Sequence, residues 1–303
     1  MDLRHLRSLV TLAESDFSVS RTAERLHLVQ PAVSQHLKQL EDMVGAPLFV
    51  RHGKRLAGLT QPGDLILRYS RRILAEAENI LAVGRDHRTE EEGVLRIGAT
   101  HTQARYVLPP AIRKFSGLYP AVEVQLHQGT PQQLAEMAVD DAVDVAICTE
   151  ALHKHPDLTV IPCYRWNRCV IAPIGHPVLQ LRPITLGKLC EFPVITYVFG
   201  FTGSGHFRDA FARLGLRPRV VLGAADTDVI KTYVREQMGI GIIARLAYSE
   251  TEDADLEIRD LSHLFPWEVT KIAYRKDKYL RRFQQRFIDI FQDESAQLVG
   301  RRL

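Results

Sequence analysis

"TAERLHLVQPAVSQHLKQL", residues 22–40, decides how the amino-terminal end folds. Ser18 or Ser20 can cap a helix running to about Leu26, with Ala23 as a small contact residue on its inner face. After the turn His27-Leu28-Val29, Gln30 and Pro31 open a second helix. Proline is free of penalty at a first helical position, because the N–H it lacks would have no partner there. Ala32, Val33, Leu37 and Leu40 then recur at helical spacing as a buried stripe, with Gln30, Ser34, Gln35 and Lys38 on the opposite face. Two helices joined by a three- to four-residue turn, the second displaying amides, a hydroxyl and a lysine, form the helix-turn-helix pattern. Gln can read an adenine edge bidentately, and Ser and Lys can reach phosphate or base acceptors. A helical bundle that never touches DNA is the competing reading.

The flanking residues extend the pattern on both sides. Leu3, Leu6, Leu9, Val10 and Leu12 predict a helix near residues 3–14. In "FVRHGKRLAGLTQPG", residues 49–63, Phe49 and Leu56 bracket Gly53, which predicts a β-hairpin wing carrying Arg51, Lys54 and Arg55. Such a wing beside a recognition helix supplies phosphate contacts. The expected DNA-contacting residues are Ser20, Arg21, Gln30, Pro31, Ser34, Gln35, Lys38, Arg51 and Lys54. From Pro62 to about His87 the pattern is helical throughout, with Leu65, Ile66, Tyr69, Ile73, Leu74, Ala77, Ile80 and Leu81. This stripe is too long for a small winged domain to cover, and it predicts a dimerisation helix.

Charge agrees with a nucleic-acid partner at this end, although a solvated helix face reads the same way. The chain of 303 residues has a net charge of +3, and residues 1–88 hold thirteen Lys and Arg against ten Asp and Glu. The other 26 basic and 26 acidic residues cancel. Cys148, Cys163, Cys169 and Cys190 show no C-x-x-C pair, so buried free thiols and no metal site are expected. The charged N-terminus has no signal-type apolar core, and no apolar run approaches the ~20 residues of a membrane span. A cytoplasmic protein without membrane contact follows. A Gly-rich nucleotide loop, a nucleophile elbow and HExxH are all missing, which argues against an α/β enzyme.

Beyond residue 90 strand and helix patterns alternate. Strands are predicted at 93–99, 121–127, 143–148, 168–172, 193–197, 218–223, 240–244 and 269–275. Helices are predicted near 103–117, 130–139, 185–191, 203–214, 226–236 and 278–292. Alternation at this length implies an α/β architecture with mostly parallel sheets. In "GATHTQARYVLPPAI", residues 98–112, neutral Thr100, His101, Thr102 and Gln103 sit at a strand-to-helix junction. Small ligands of α/β folds bind at such strand ends, and uncharged donors suit a small anion. Thr102 acting only as a helix cap is the simpler alternative, and His101 reads as a structural donor.

The N-terminal stretch resembles, in motif, order and spacing, that of LysR-type transcriptional regulators. Val29 departs from the Ser or Thr usual there before the recognition helix, and Gln35 stands where a basic residue is common. Farther on, "THTQARY" (100–106), "ICTEALH" (147–153), "IPCYRWNRCVI" (161–171), "YVFGFTGSGHFRDAF" (197–211) and "AADTDVIKTYVREQMGIGIIA" (224–244) closely resemble the CysB/Cbl-type subgroup, regulators of sulfur assimilation. The resemblance implies a winged helix-turn-helix domain over 1–60, a linker helix over 61–89 and a two-lobed effector domain like a periplasmic binding protein over 90–303. Lobe I would take 90–164 and 268–303, and lobe II 165–267. It further implies that Thr100, Thr102, Gln103, Thr149, Trp166 and Thr202 bind the effector, with no other cofactor. Sulfate, thiosulfate, O-acetylserine, N-acetylserine and adenosine phosphosulfate are the candidate effectors; an unrelated pathway with an organic-acid effector is the alternative. Implied partners are double-stranded promoter DNA and further copies of the chain as dimer or tetramer, with RNA polymerase a further candidate. Ser204-Gly205-His206 replace a basic residue usual in the subgroup, and Gln237 stands where Gly is frequent.

Overall fold

The computed structural model describes residues 1–53, 55–87, 92–198 and 204–299, in two compact units, Met1–Arg88 and Thr89–Leu303. In the first, α1 (Leu3–Ala13), α2 (Val19–Leu26) and α3 (Gln30–Val44) precede a hairpin of β1 (Phe49–His52) and β2 (Arg55–Leu59), and α4 (Gln61–His87) follows. Asp2 caps α1 by accepting from the N–H groups of Arg4 and His5, and Ser18, not Ser20, caps α2. Gly45 ends α3 in the left-handed conformation, φ +74°, which costs glycine nothing. Leu6, Leu9, Leu12, Ala23, Val33, Leu37, Leu40, Leu48 and Phe49 form the core. Each fully buried leucine there contributes about 1.5–3 kcal/mol. In the wing Phe49 pairs Leu59 and His52 pairs Arg55, with a bulge between Val50 and Arg51.

The second unit begins with β3 (Gly93–Ala99), α5 (His101–Tyr106), α6 (Leu108–Leu118), β4 (Val122–Gln128), α7 (Pro131–Val139) and β5 (Val145–Cys148). Then come β6 (Leu158–Trp166), β7 (Arg168–Pro173), α8 (Pro177–Gln180), α9 (Leu186–Leu189), β8 (Val194–Tyr197) and α10 (Ser204–Ala212). The remainder is β9 (Val220–Ala224), α11 (Thr227–Arg235), β10 (Ile240–Ala244), β11 (Leu256–Asp260), β12 (Glu268–Arg275) and α12 (Arg282–Val299). One sheet has the order β4-β3-β5-β12-β6 and the other β11-β7-β10-β8-β9, so the unit has two lobes. Val107, just before the Pro109-Pro110 pair, separates α5 from α6, where one helix over 103–117 is expected from the spacing.

The sheets are mixed rather than mostly parallel. β3 pairs β4 and β5 in parallel, and β8 pairs β9 and β10 in parallel. β12 is antiparallel to both β5 and β6, and β7 to both β10 and β11. The chain crosses between lobes twice, at Trp166-Asn167-Arg168 and again before Glu268, and the returning strand runs against its neighbours. β6, antiparallel to β12, and β11, antiparallel to β7, fall outside the strands predicted by pattern. At the hinge Glu268 pairs Trp166, and Asn167 Nδ2 donates to the Phe265 carbonyl at 3.1 Å. Among the described residues no helix is long and apolar enough to cross a membrane.

Candidate functional site

Two regions gather the candidate residues. In the first unit Pro31, Ser34, Gln35 and Lys38 lie exposed on one face of α3, while Val33, Leu37 and Leu40 on the other enter the core. Gln30 Nε2 donates to Ser20 Oγ at 2.5 Å and so ties α2 to the start of α3. Arg21 pairs with Asp16 at 3.0 Å. Arg51 Nη2 reaches Glu41 Oε2 at 2.8 Å, and the other oxygen of that carboxylate accepts from the Leu48 N–H at 2.8 Å. Glu41, which sequence reading passed over, therefore braces the wing against the far half of α3. With Arg51 largely exposed, the pair contributes at most about 1 kcal/mol. Lys54 lies outside the described residues.

In the second unit the strand ends bring together neutral donors. Tyr164 donates its hydroxyl to Gln103 Oε1, and Gln103 Nε2 donates to Thr270 Oγ1 at 3.4 Å. Thr270 Oγ1 lies 3.4 Å from Thr149 Oγ1, which accepts from Trp166 Nε1 at 3.3 Å. Thr100, Thr102, Gln103, Thr149, Tyr164, Trp166 and Thr270 are all buried. Thr100 takes the N-cap position of α5 without a side-chain cap bond, and Thr102 lies within the helix. Capping therefore does not account for Thr102. Its hydroxyl lies near that of Tyr197 in the other lobe but makes no well-formed hydrogen bond. Tyr197 itself bonds Thr227 Oγ1 at 2.7 Å and accepts from the Ala244 N–H at 3.2 Å.

Burial pushes the Tyr164 and Tyr197 phenols above their ordinary value, so both remain neutral donors at physiological pH. One cation touches the cluster's backbone: Lys271 Nζ donates to the Thr149 carbonyl at 3.0 Å. At the hinge the buried Arg168–Glu268 pair, at 3.0 Å, also takes His206 on Glu268 at 3.0 Å. Burial and the charge of Glu268 push the Glu150 carboxyl upward. Of the predicted effector residues, the structure joins Gln103, Thr149 and Trp166 in one chain of hydrogen bonds, with Thr100 and Thr102 at the adjoining start of α5. Thr202 lies outside the described residues. Thr270 and Tyr164 are additions; their only trace in sequence is a hydroxyl at an inward position of an apolar strand.

A second set of contacts bridges the lobes. Tyr106 donates to Asp228 Oδ1 at 2.6 Å, and Arg105 lies 3.5 Å from Asp228 and 3.3 Å from Glu252. His101, Asp226 and Asp228 bring possible ligand atoms within 4.8 Å of one another, and His101 lies 4.0 Å from Asp228 as part of the same bridge. The four cysteines are free, and burial pushes the Cys148 and Cys163 thiols up to about 12. Neither thiol offers a nucleophile at neutral pH.

Comparison with known proteins follows the same division. Residues 3–64 match the model for the bacterial regulatory helix-turn-helix protein, lysR family, and residues 88–296 match the LysR substrate binding domain. The chain is 41% identical over 291 residues to the HTH-type transcriptional regulator SsuR of Burkholderia cenocepacia, covering 96% of this chain and 94% of the relative. It is 40% identical to the HTH-type transcriptional regulator CysB of the same organism, over 96% of this chain and 93% of that one. The solved cofactor-binding domain of the Cbl transcriptional regulator superposes with a TM-score of 0.65 at 38% identity, covering 69% of this chain and 94% of that domain.

Proposed function

Because the chain belongs to the LysR family of transcriptional regulators, we propose that it is a DNA-binding regulator whose interlobe cleft takes a small sulfur-containing anion and so controls genes of sulfur metabolism. Its near full-length relatives are named as regulators of the CysB and SsuR type, and the Cbl domain is a cofactor-binding one by its title. The observation that carries the effector reading is the buried Thr102 hydroxyl without a partner, beside a chain of neutral donors. An unpartnered buried hydroxyl costs about 1–3 kcal/mol, and an anion accepting from it recovers that cost. A small tetrahedral dianion such as sulfate suits hydroxyl, amide and indole donors, none of which brings a counter-charge that must first be desolvated. Thr100, Thr102, Gln103, Thr149, Trp166 and Thr202 are the proposed effector contacts, with Thr270 added to them.

The exposed face of α3 is proposed to enter the major groove, with the wing on the adjoining backbone. Ser20, Arg21, Gln30, Pro31, Ser34, Gln35, Lys38, Arg51 and Lys54 are the proposed contacts. Effector binding shifts the lobes against each other, and coupling of 1–3 kcal/mol changes DNA affinity by about 5–150-fold. The chain acts as a dimer or tetramer on promoter DNA.

The test is a thermal melt of the full chain with sulfate, thiosulfate, O-acetylserine, N-acetylserine and adenosine phosphosulfate, with acetate and benzoate as controls. A ligand at 100 times its dissociation constant stabilises by about 2.7 kcal/mol. The expected outcome is a shift with one sulfur compound that Thr102→Ala abolishes. Shifts with the carboxylates alone would leave the regulator standing and remove the sulfur assignment.

A further inference from the structure

The head of α3 carries an apolar patch that neither the core nor a helix cap uses. Val29 is 69% exposed and Leu28 41% exposed, and Pro31 beside them is exposed as well. Val29 occupies the N-cap of α3 in extended backbone, with no side-chain hydrogen bond to the helix it opens. Serine, threonine or aspartate there would accept from an N–H of the first turn, so valine forgoes a cap and holds two methyl groups in water. Among the described residues of the head, Val29 joins no part of the core. The side-chain amide of Gln30 next to it is held by Ser20, while Ser34, Gln35 and Lys38 point outward along the helix that follows.

In helix-turn-helix docking the first residues of the recognition helix meet base edges in the major groove. The apolar group displayed there is the C5-methyl of thymine. We propose that Val29 is a specificity-determining residue that reads a thymine methyl in the major groove, an inference that rests on the DNA-binding reading above. Its isopropyl group lies over the methyl and takes both out of water, with Leu28 and Pro31 screening the contact. Gln30 and Ser34 supply hydrogen bonds to neighbouring positions. The variation that costs the helix a cap thus gives the chain a preference that serine at this position would lack.

The test uses duplexes that the full chain enriches from a random library, with each thymine replaced in turn by deoxyuridine. That exchange deletes the methyl and leaves the pairing edge and O4 intact. The expected result is one thymine per half-site whose replacement weakens wild-type binding about fourfold, the size of one methyl group lost from an apolar contact. Val29→Ser binds the thymine and deoxyuridine duplexes equally, and Val29→Thr, which keeps one methyl, falls between. Because Val29 packs in no core, neither variant is expected to lose stability, and the cap that the hydroxyl restores raises the melting temperature slightly. A flat deoxyuridine scan with wild type, an undiminished response in Val29→Ser, or a response that follows Leu28→Ala instead would overturn the proposal. Failure to enrich any duplex would be a different result, removing the DNA-binding reading and this one with it.

Discussion

Gln237 shows what one residue costs. It follows α11 with φ +57°, in the left-handed region, with its N–H bonded to the Val234 carbonyl at 3.0 Å. The resemblance marks this position as one where glycine is frequent, and the backbone explains why: a Cβ there crowds the following carbonyl. Gln237→Gly is expected to stabilise the effector unit by about 0.5–1 kcal/mol, the left-handed strain removed less the extra chain entropy of glycine. A urea midpoint that does not rise would refute the strain. Thr102 and Thr270 illustrate the opposite case. Motif and resemblance marked Thr102, but Thr270 became visible only when β12 laid its hydroxyl between Gln103 and Thr149.

Among the elements α4 carries the clearest consequence. Leu65, Tyr69, Ile73, Ile80 and Val83 are all exposed, and at helical spacing they fall within about 80° of one another. Ile66, Leu67 and Leu74, on other sides, pack on the winged head instead. Such a stripe suits the same stripe of a second copy, as proposed for this family member. Ile80 is 73% exposed, so Ile80→Asp leaves the folded chain intact while placing a charge in the proposed contact. Sedimentation equilibrium should show the dissociation constant of the dimer raised at least about tenfold, since two buried isoleucines are lost. Unchanged association would remove α4 from the interface. Helix periodicity made this element legible, because 27 residues repeat one pattern. The separation of α5 from α6 was harder to see, because the apolar spacing continues across Val107 and the Pro pair.

At the scale of the whole unit, Asp144 joins distant parts of lobe I. It accepts from the Arg96 backbone N–H at 2.7 Å, from the Arg96 guanidinium at 2.9 Å and from Lys278 at 2.8 Å. Burial pushes its carboxyl up, but Lys278 and Arg96 outweigh burial and hold it below the ordinary value of 3.8. Its contribution is therefore complete above that unfolded value and is lost as pH falls through the lower folded one. Asp144→Asn should cost about 1–3 kcal/mol at pH 7, because it takes one carboxylate from the buried Lys278, which keeps Asp141, and one from the partly exposed Arg96. Urea melts between pH 7 and pH 3 should fall steeply for wild type and less steeply for the variant. Parallel curves would show that Asp144 does not carry the acid sensitivity.

Local patterns already contained the helix-turn-helix, the wing, the long helix and the alternating effector unit. These depend on apolar spacing, turn residues and caps, which act within a few positions of one another. The resemblance likewise grouped Thr100, Thr102, Gln103, Thr149 and Trp166, and the structure gathers these residues at neighbouring strand ends. The antiparallel return of β12, the hinge pair Arg168–Glu268, the brace of Glu41 on Arg51 and the place of Thr270 were settled by tertiary structure alone. Each joins residues far apart in the chain or depends on which way a strand re-enters a sheet, and short-range spacing carries no information about either.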